Sequence, residues 1–433
     1  MAKSDLKRAN GVVYVASRLI ADVGRVFSPG AVAVSNGLVL MAGRKRDVIS
    51  SVPASFTVLE LPGAVILPGL VNAHTHLQIP RNLDGSGVDD AARPDDFVGW
   101  LQKVIRWRRE ADPSDFRVNF FSGADEALSY GITTIGEIAG PDISLYASSP
   151  LRARVYAEGI GFSDAVASTR QEVVRETVMQ LEKISAVNPL VVPGVSPHSL
   201  YSAGEGLLRG LAAFASAGSL PVCLHLAESL AEIRFLEHGG GDIAARLHPS
   251  VGQDVSWFKG IGRSIPAYIE EAGLLRDGLL LAHNVHLSTG EINALAEGGA
   301  RFVLCPRSNI AHGNGAPDVT HFVDSGIPFA VGTDSLGSVD DLDIWEEIRC
   351  AKSLYKGKLK NNELCETLIR GATVNGAKAL SLPGGSISEG DAAGFVVVDD
   401  PGGDAAEVLE RLVERTRRSN VRMTVVAGRC REW

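Results

Sequence analysis

The sequence predicts an α/β chain: a (β/α)8 TIM-type barrel with a small β-sandwich domain formed by the N- and C-terminal segments. Three observations carry this. The chain has 433 residues, more than one compact unit usually holds. From Val65 onward, eight apolar runs alternate with helical stretches. Both ends of the chain are β-rich instead. The expected division is 1–66 for the first half of the sandwich, 67–383 for the barrel and 384–433 for the second half.

Gly11–Ala16, Ala31–Val34 and Leu38–Met41 read as short strands set apart by Gly, Pro and Asn, and helical periodicity is weak up to Pro62. The barrel runs are Val65–Val71, Ile132–Ile135, Arg154–Tyr156, Leu190–Val195, Val222–Leu226, Leu279–Ala282, Phe302–Leu304 and Phe329–Val331. Strands separated by helices pair in parallel, and eight such units close a barrel whose site lies at the C-terminal strand ends. After Pro383 and the Gly384-Gly385 break, Phe395–Val398 and Met423–Val426 return to β character and can pair with the N-terminal strands.

Hydrophobic residues make up 45% of the chain, charged residues 21%, and glycines number 47, the mix of a soluble α/β protein rich in turns. A net charge of -9 disfavours a surface built for nucleic acid or anionic membrane, because counterion release needs clustered Lys and Arg. The expected partner is a small heterocyclic molecule. Cys223, Cys305, Cys350, Cys365 and Cys430 are odd in number, scattered and without a CxxC pair, which suits a reducing cytoplasm better than a disulfide framework. Arg18 and Asp22 interrupt the first apolar stretch, so no signal peptide is expected, and no segment reads as a membrane span. The sequence leaves the oligomeric state open, a homo-oligomer included.

The chemistry sits at strand ends. The first run leads into His74-Thr75-His76, and alternation along an extended segment points both imidazoles to one side. An HxH pair by itself reads equally well as two polar residues at a strand mouth. The fifth run carries His225, with Glu228 three residues on. The sixth leads into His283 and the eighth into Asp334. Four strands thus deliver imidazole or carboxylate to the edge where this fold builds its sites. Such residues suit a catalytic Zn²⁺ or similar ion with a position left for water. An ion of this kind lowers the pKa of water to roughly 7. Asp334 and His283 are the candidates to take the remaining proton.

In order along the chain, Leu67–His76, Pro197–Ser202, His225–Ser229, Leu281–Ser288, Cys305–Asn309 and Gly332–Ser338 resemble the amidohydrolase superfamily. The likeness is to its mononuclear branch of adenosine-, guanine- and cytosine-type deaminases and triazine hydrolases, and it covers nearly the whole chain. The tail Gly385–Asp400 resembles the strand by which such chains rejoin the N-terminal sandwich. The resemblance implies one divalent metal per chain, Zn²⁺ before Fe²⁺, held by His74, His76, His225 and Asp334. It makes Glu228 the proton shuttle and has His283 orient the hydrolytic water. No lysine lies in Val191–Ser199 to supply the bridging carbamate of two-metal relatives.

For substrate contacts the resemblance points to His198, which after a proline also reads as a turn cap; Arg307 and Asn309, just after strand seven, read equally as substrate contacts or surface anchors, and Gln78 and Trp100 are expected to face the sugar or its appendage. Two departures bear on the substrate. Gly99 stands where adenosylhomocysteine-type deaminases have an acid, and Gln78 stands where aminodeoxyfutalosine deaminase-like proteins tend to have Glu. The implied activity is hydrolytic deamination of an amino-substituted purine nucleoside, aminodeoxyfutalosine-like or methylthioadenosine-like before adenosylhomocysteine. The alternative is an amidase or chlorohydrolase acting on a triazine, guanine or pterin. An inactive scaffold is disfavoured because Glu228, His283 and Asp334 are all present. Trp107 and the run Arg106 to Arg109 read as a solvated helix face with one buried ring. His238, His248, His286, His312 and His321 read as structural or surface residues.

Overall fold

Branched and aromatic side chains suited to a pleated surface open the chain as strand β1 (Val12–Asp22). The computed structural model describes residues 11–81, 83 and 96–433. The hairpin strand β2 (Arg25–Phe27) pairs with β1, followed by β3 (Gly30–Ser35), β4 (Leu38–Arg44) and β5 (Thr57–Pro68). A short helix at Lys45–Ser51, which the weak periodicity did not suggest, joins β4 to β5 and buries Val48.

Eight parallel strands follow: β6 (Leu70–Thr75), β7 (Ile132–Ile138), β8 (Arg152–Glu158), β9 (Val191–Ser196), β10 (Val222–Leu226), β11 (Leu279–His283), β12 (Arg301–Leu304) and β13 (Phe329–Val331). They neighbour one another in sequence order from β6 to β13. The expected run Val65–Val71 is cut in two. Val65–Pro68 ends β5 in the other sheet, with Ile66 opposite Leu19 and Val397, and the barrel starts at Leu70. A continuous apolar run carries no mark of which sheet it joins, because both faces are buried either way.

The barrel closes between β6 and β13. Thr75 bridges Asp334, and the Asp334 amide donates to the His74 carbonyl at 3.0 Å. The Asn72 side chain spans the same seam, donating to Thr333 Oγ1 at 2.7 Å and accepting from the Thr333 amide at 3.0 Å. Inside the barrel, Val71, Tyr156, Cys223, Leu280 and Val303 pack on Leu380, which stops the N-terminal end. The larger apolar layer lies between strands and surrounding helices, around Phe120, Phe235, Phe322 and Trp345.

The C-terminal strands β14 (Phe395–Asp399), β15 (Val421–Val426) and β16 (Arg429–Glu432) return to the first sheet, in the order β16-β15-β14-β5-β1-β3-β4. Tyr14 meets Phe395 edge-on at 5.0 Å, so the two ends of the chain share one core. The C-terminal segment is not all β. Val408–Arg415 is a helix whose buried Val408, Leu409, Leu412 and Val413 join the core around the barrel. No helix among the described residues is long and apolar enough to cross a membrane. The five cysteines are free thiols.

Candidate active site

The strand ends bring His74, His76, His225, His283 and Asp334 into one buried cluster. His74, His76 and Asp334 offer ligand atoms within 4.8 Å of one another, as do His74, His225 and His283, and Glu228, His283 and Asp334. His76 Nε2 lies 3.4 Å from both His225 Nε2 and Asp334 Oδ1, and His74 Nε2 lies 3.7 Å from that same oxygen. A Cβ at Gly332 would sit 2.9 Å from the His74 backbone nitrogen, so glycine lets β13 approach β6 this closely.

The partners of these groups leave the right atoms free for a cation. His225 Nδ1 faces the His198 carbonyl at 3.0 Å, which places its proton there and a lone pair on Nε2. Asp334 Oδ2 accepts from Ser308 Oγ at 2.7 Å and Ser338 Oγ at 3.0 Å, leaving Oδ1 to face the rings. Among the described residues, both nitrogens of His74 and Nδ1 of His76 are buried without a hydrogen-bond partner. Burial holds the ring pKa of His74 well below its ordinary value and that of His76 at about 4, so both imidazoles are neutral donors. Unpaired polar atoms at this density are costly unless a cation satisfies them. The cluster therefore fits a divalent metal.

Backbone strain gathers at the same edge. Ala227, His283, Asn284 and Asp334 all have positive φ, between 51° and 78°. Left-handed non-glycine residues persist where surrounding structure fixes them, and here they turn the chain directly after β10, β11 and β13.

Glu228 lies on the cavity side of the cluster, Oε2 3.8 Å from His283 Nε2. Burial, reinforced by Asp334 and Glu232, pushes its carboxyl well above the usual range, toward the uncharged form. The turn carrying it is held from behind. Ser229 caps the helix Leu230–His238 by accepting from the Glu232 amide, and the Glu232 carboxylate accepts from the Glu228 amide at 2.9 Å. On the other side Asn309 Nδ2 lies 3.0 Å from His283 Nδ1. Donation there puts the proton of the neutral ring on Nε2, the atom facing Glu228.

A cavity of about 410 Å³ opens over the cluster, lined by His76, Trp100, Glu158, His198, Tyr201, His225, Glu228, His283 and Asp334 among others. Trp100 and His198 thus stand in its wall. Gln78, Arg307 and Asn309 do not. The Gln78 amide is spent on the Asp142 backbone, 3.1 Å to its carbonyl and 3.2 Å from its amide. Arg307 pairs with Asp341 at 2.8 Å and Glu347 at 3.7 Å, anchoring the helix Pro306–Ala311 that carries Ser308 and Asn309. The polar groups of Gln78 and Arg307 are thus engaged by neighbouring segments, and Asn309 lies against His283.

The basic run also reads differently in three dimensions. Arg106 is exposed and the Trp107 ring packs on Phe116, but Arg108 and Arg109 both line the cavity, and Arg108 pairs with Glu158 at 3.2 Å. Glu158 was missed, although a carboxylate at the C-terminal end of β8 obeys the rule that singled out His283 and Asp334. Gly99 has no room for a side chain, since a Cβ would sit 2.3 Å from the Asp96 carboxylate. That carboxylate is pinned as the helix cap and by both guanidinium nitrogens of Arg246, at 2.8 and 2.7 Å. Of the other histidines, His248 lines the cavity with both ring nitrogens bonded, and His312 packs on Trp100 with ring centres 4.3 Å apart.

Comparison with known proteins agrees with this architecture. A 5-methylthioadenosine/S-adenosylhomocysteine deaminase of Halobacterium salinarum is 31% identical over 382 residues, covering 84% of this chain and 80% of that protein. Aminofutalosine deaminase of Helicobacter pylori, solved with methylthio-coformycin, shares the fold at a TM-score of 0.82 and 21% identity, covering 96% of this chain and 99% of that one. An adenosine deaminase of Xanthomonas campestris solved with bound zinc aligns at a TM-score of 0.79 and 26% identity, covering 97% and 92%. The Amidohydrolase family model matches residues 65–431. The chain belongs to the amidohydrolase family.

Proposed function

We propose that the chain catalyses hydrolytic deamination of an amino-substituted purine nucleoside. The observation that carries this reading is the convergence of His74, His76, His225 and Asp334 with Glu228 and His283 at the floor of one cavity. The relatives named as methylthioadenosine/adenosylhomocysteine and adenosine deaminases support it. His74, His76, His225 and Asp334 would hold one zinc ion, a set of three imidazoles and a carboxylate. Bound there, the ion supplies Lewis-acid activation of the attacking water at neutral pH.

The protein's own groups do the rest. Glu228, kept uncharged by burial, would give its proton to the ring nitrogen as water adds, then take one from the added water and pass it to the departing ammonia. His283 and Asp334 orient the water, each fixed from the helix Pro306–Ala311 through Asn309 and Ser308. His198, in the cavity wall with Nδ1 2.6 Å from Ser202 Oγ, has its ring orientation set and contacts the base. The test is ammonia release by the zinc-loaded protein from aminodeoxyfutalosine, methylthioadenosine, adenosylhomocysteine, guanine and a pterin. Turnover of the adenosine derivatives is expected. Turnover of guanine or the pterin alone would reject the nucleoside reading.

A further inference from the structure

We propose that Glu158 and Arg108 form the subsite that recognises a sugar hydroxyl of the substrate, the ribose diol on the nucleoside reading above. Three carboxylates line the cavity: Glu158, Glu228 and Asp334. The last two belong to the reacting centre, and Glu158 stands apart at the end of β8. Its side chain is 9% exposed, yet it is held as a carboxylate: Arg108 Nη1 lies 3.2 Å from Glu158 Oε2.

The pair does not satisfy itself. Among the described residues, Glu158 Oε1 and Arg108 Nε are both buried with no hydrogen-bond partner. An ion pair built only for stability would be expected to use these atoms, because a buried unmatched donor or acceptor is costly. What remains is one acceptor and one donor on adjacent groups of the cavity wall. A hydroxyl matches this, since it donates one hydrogen bond and accepts another. A thioether or a second carboxylate does not match an anionic acceptor. Apolar side chains share the cavity wall with the polar pair, among them Leu101, Ile105 and Val104.

The test compares adenosine with 2′-deoxyadenosine and 3′-deoxyadenosine on the zinc-loaded protein, reading every Kd by calorimetry in the Glu228→Gln background, where turnover is suppressed and Glu158 and Arg108 are native unless stated, and reading ammonia release with Glu228 intact. The expected result is that the protein with native Glu158 and Arg108 binds adenosine about tenfold or more tighter than at least one deoxy analogue, as sites built to bond a hydroxyl do. Glu158→Gln should bring the Kd values within about threefold of one another while the deoxy analogue it disfavoured binds as before. Arg108→Met, with thermal melting as a folding control, should narrow the ratio in the same direction. Equal Kd values with native Glu158 and Arg108, or an equally large ratio in folded Glu158→Gln, would overturn the assignment. Preserved discrimination without any ammonia release would instead fault the deaminase reading and leave the hydroxyl subsite standing.

Discussion

Replacing Glu228 by Gln separates proton transfer from every other job of the site. The carboxyl is 4% exposed, and its hydrogen-bond contact among the described residues is a long one, 3.5 Å from Asn314 Nδ2. Gln keeps the volume and can keep that contact through its carbonyl oxygen, so no cavity results. Burial already disfavours the charged form, so an uncharged amide should change thermal stability only slightly, its new N–H donors offsetting the relief of burial. Metal content should also hold, because His74, His76, His225 and Asp334 are untouched. The rate should fall by about 10²–10⁴, the usual worth of a positioned acid–base group, or roughly 3–5 kcal/mol of barrier. Elemental analysis, a melting curve and ammonia release on one preparation measure all three quantities. A folded, metal-loaded Glu228→Gln enzyme with near-native turnover would refute the reasoning and move the proton to His283 or Asp334. Loss of metal in that variant would show that Glu228 is itself a ligand.

Three further outcomes follow from the geometry. Elemental analysis should find one metal per active chain, and His74→Ala or His225→Ala should lose most of the metal together with activity; two metals per active chain would reject the mononuclear site. Asn72→Ala should destabilise the fold by about 2–4 kcal/mol in chemical denaturation, since it breaks the two buried hydrogen bonds that join β6 to β13 and strands the Thr333 amide. Burial raises the Glu232 carboxyl from 4.5 to about 7, so the folded chain holds a proton that the unfolded chain releases, and its stability contribution falls as pH rises from about 4.5 to 7. Glu232→Gln lacks that dependence: relative to the native chain it should gain up to about 3 kcal/mol across that window (2.5 pH units at about 1.36 kcal/mol each), and a constant difference between pH 5 and pH 8 would refute the raised value.

The sequence by itself determined the architecture and singled out the candidate site, for one physical reason. In a parallel barrel the last residue of each apolar run projects toward the same end. A polar residue there, such as His225, His283 or Asp334, can be read as part of a site before any contact is known. The same rule would have found Glu158 had it been applied to β8. The joint between β5 and β6 was not legible, because Val65–Val71 is apolar throughout and both of its sheets bury both faces.

Only the tertiary structure decided how side chains away from strand ends are spent. Gln78 and Arg307 carry groups able to bind substrate, yet their amide and guanidinium are taken up by Asp142 and by Asp341 with Glu347. Arg108 shows the reverse. Its run of basic residues reads as a solvated face, but its place on the helix Phe97–Glu110 turns it toward Glu158, 50 residues away. A strand end fixes direction locally, through the pleat and the parallel sheet. The direction and partner of a helix or loop side chain depend on what distant segments pack beside it, and that information exists only once the chain has folded.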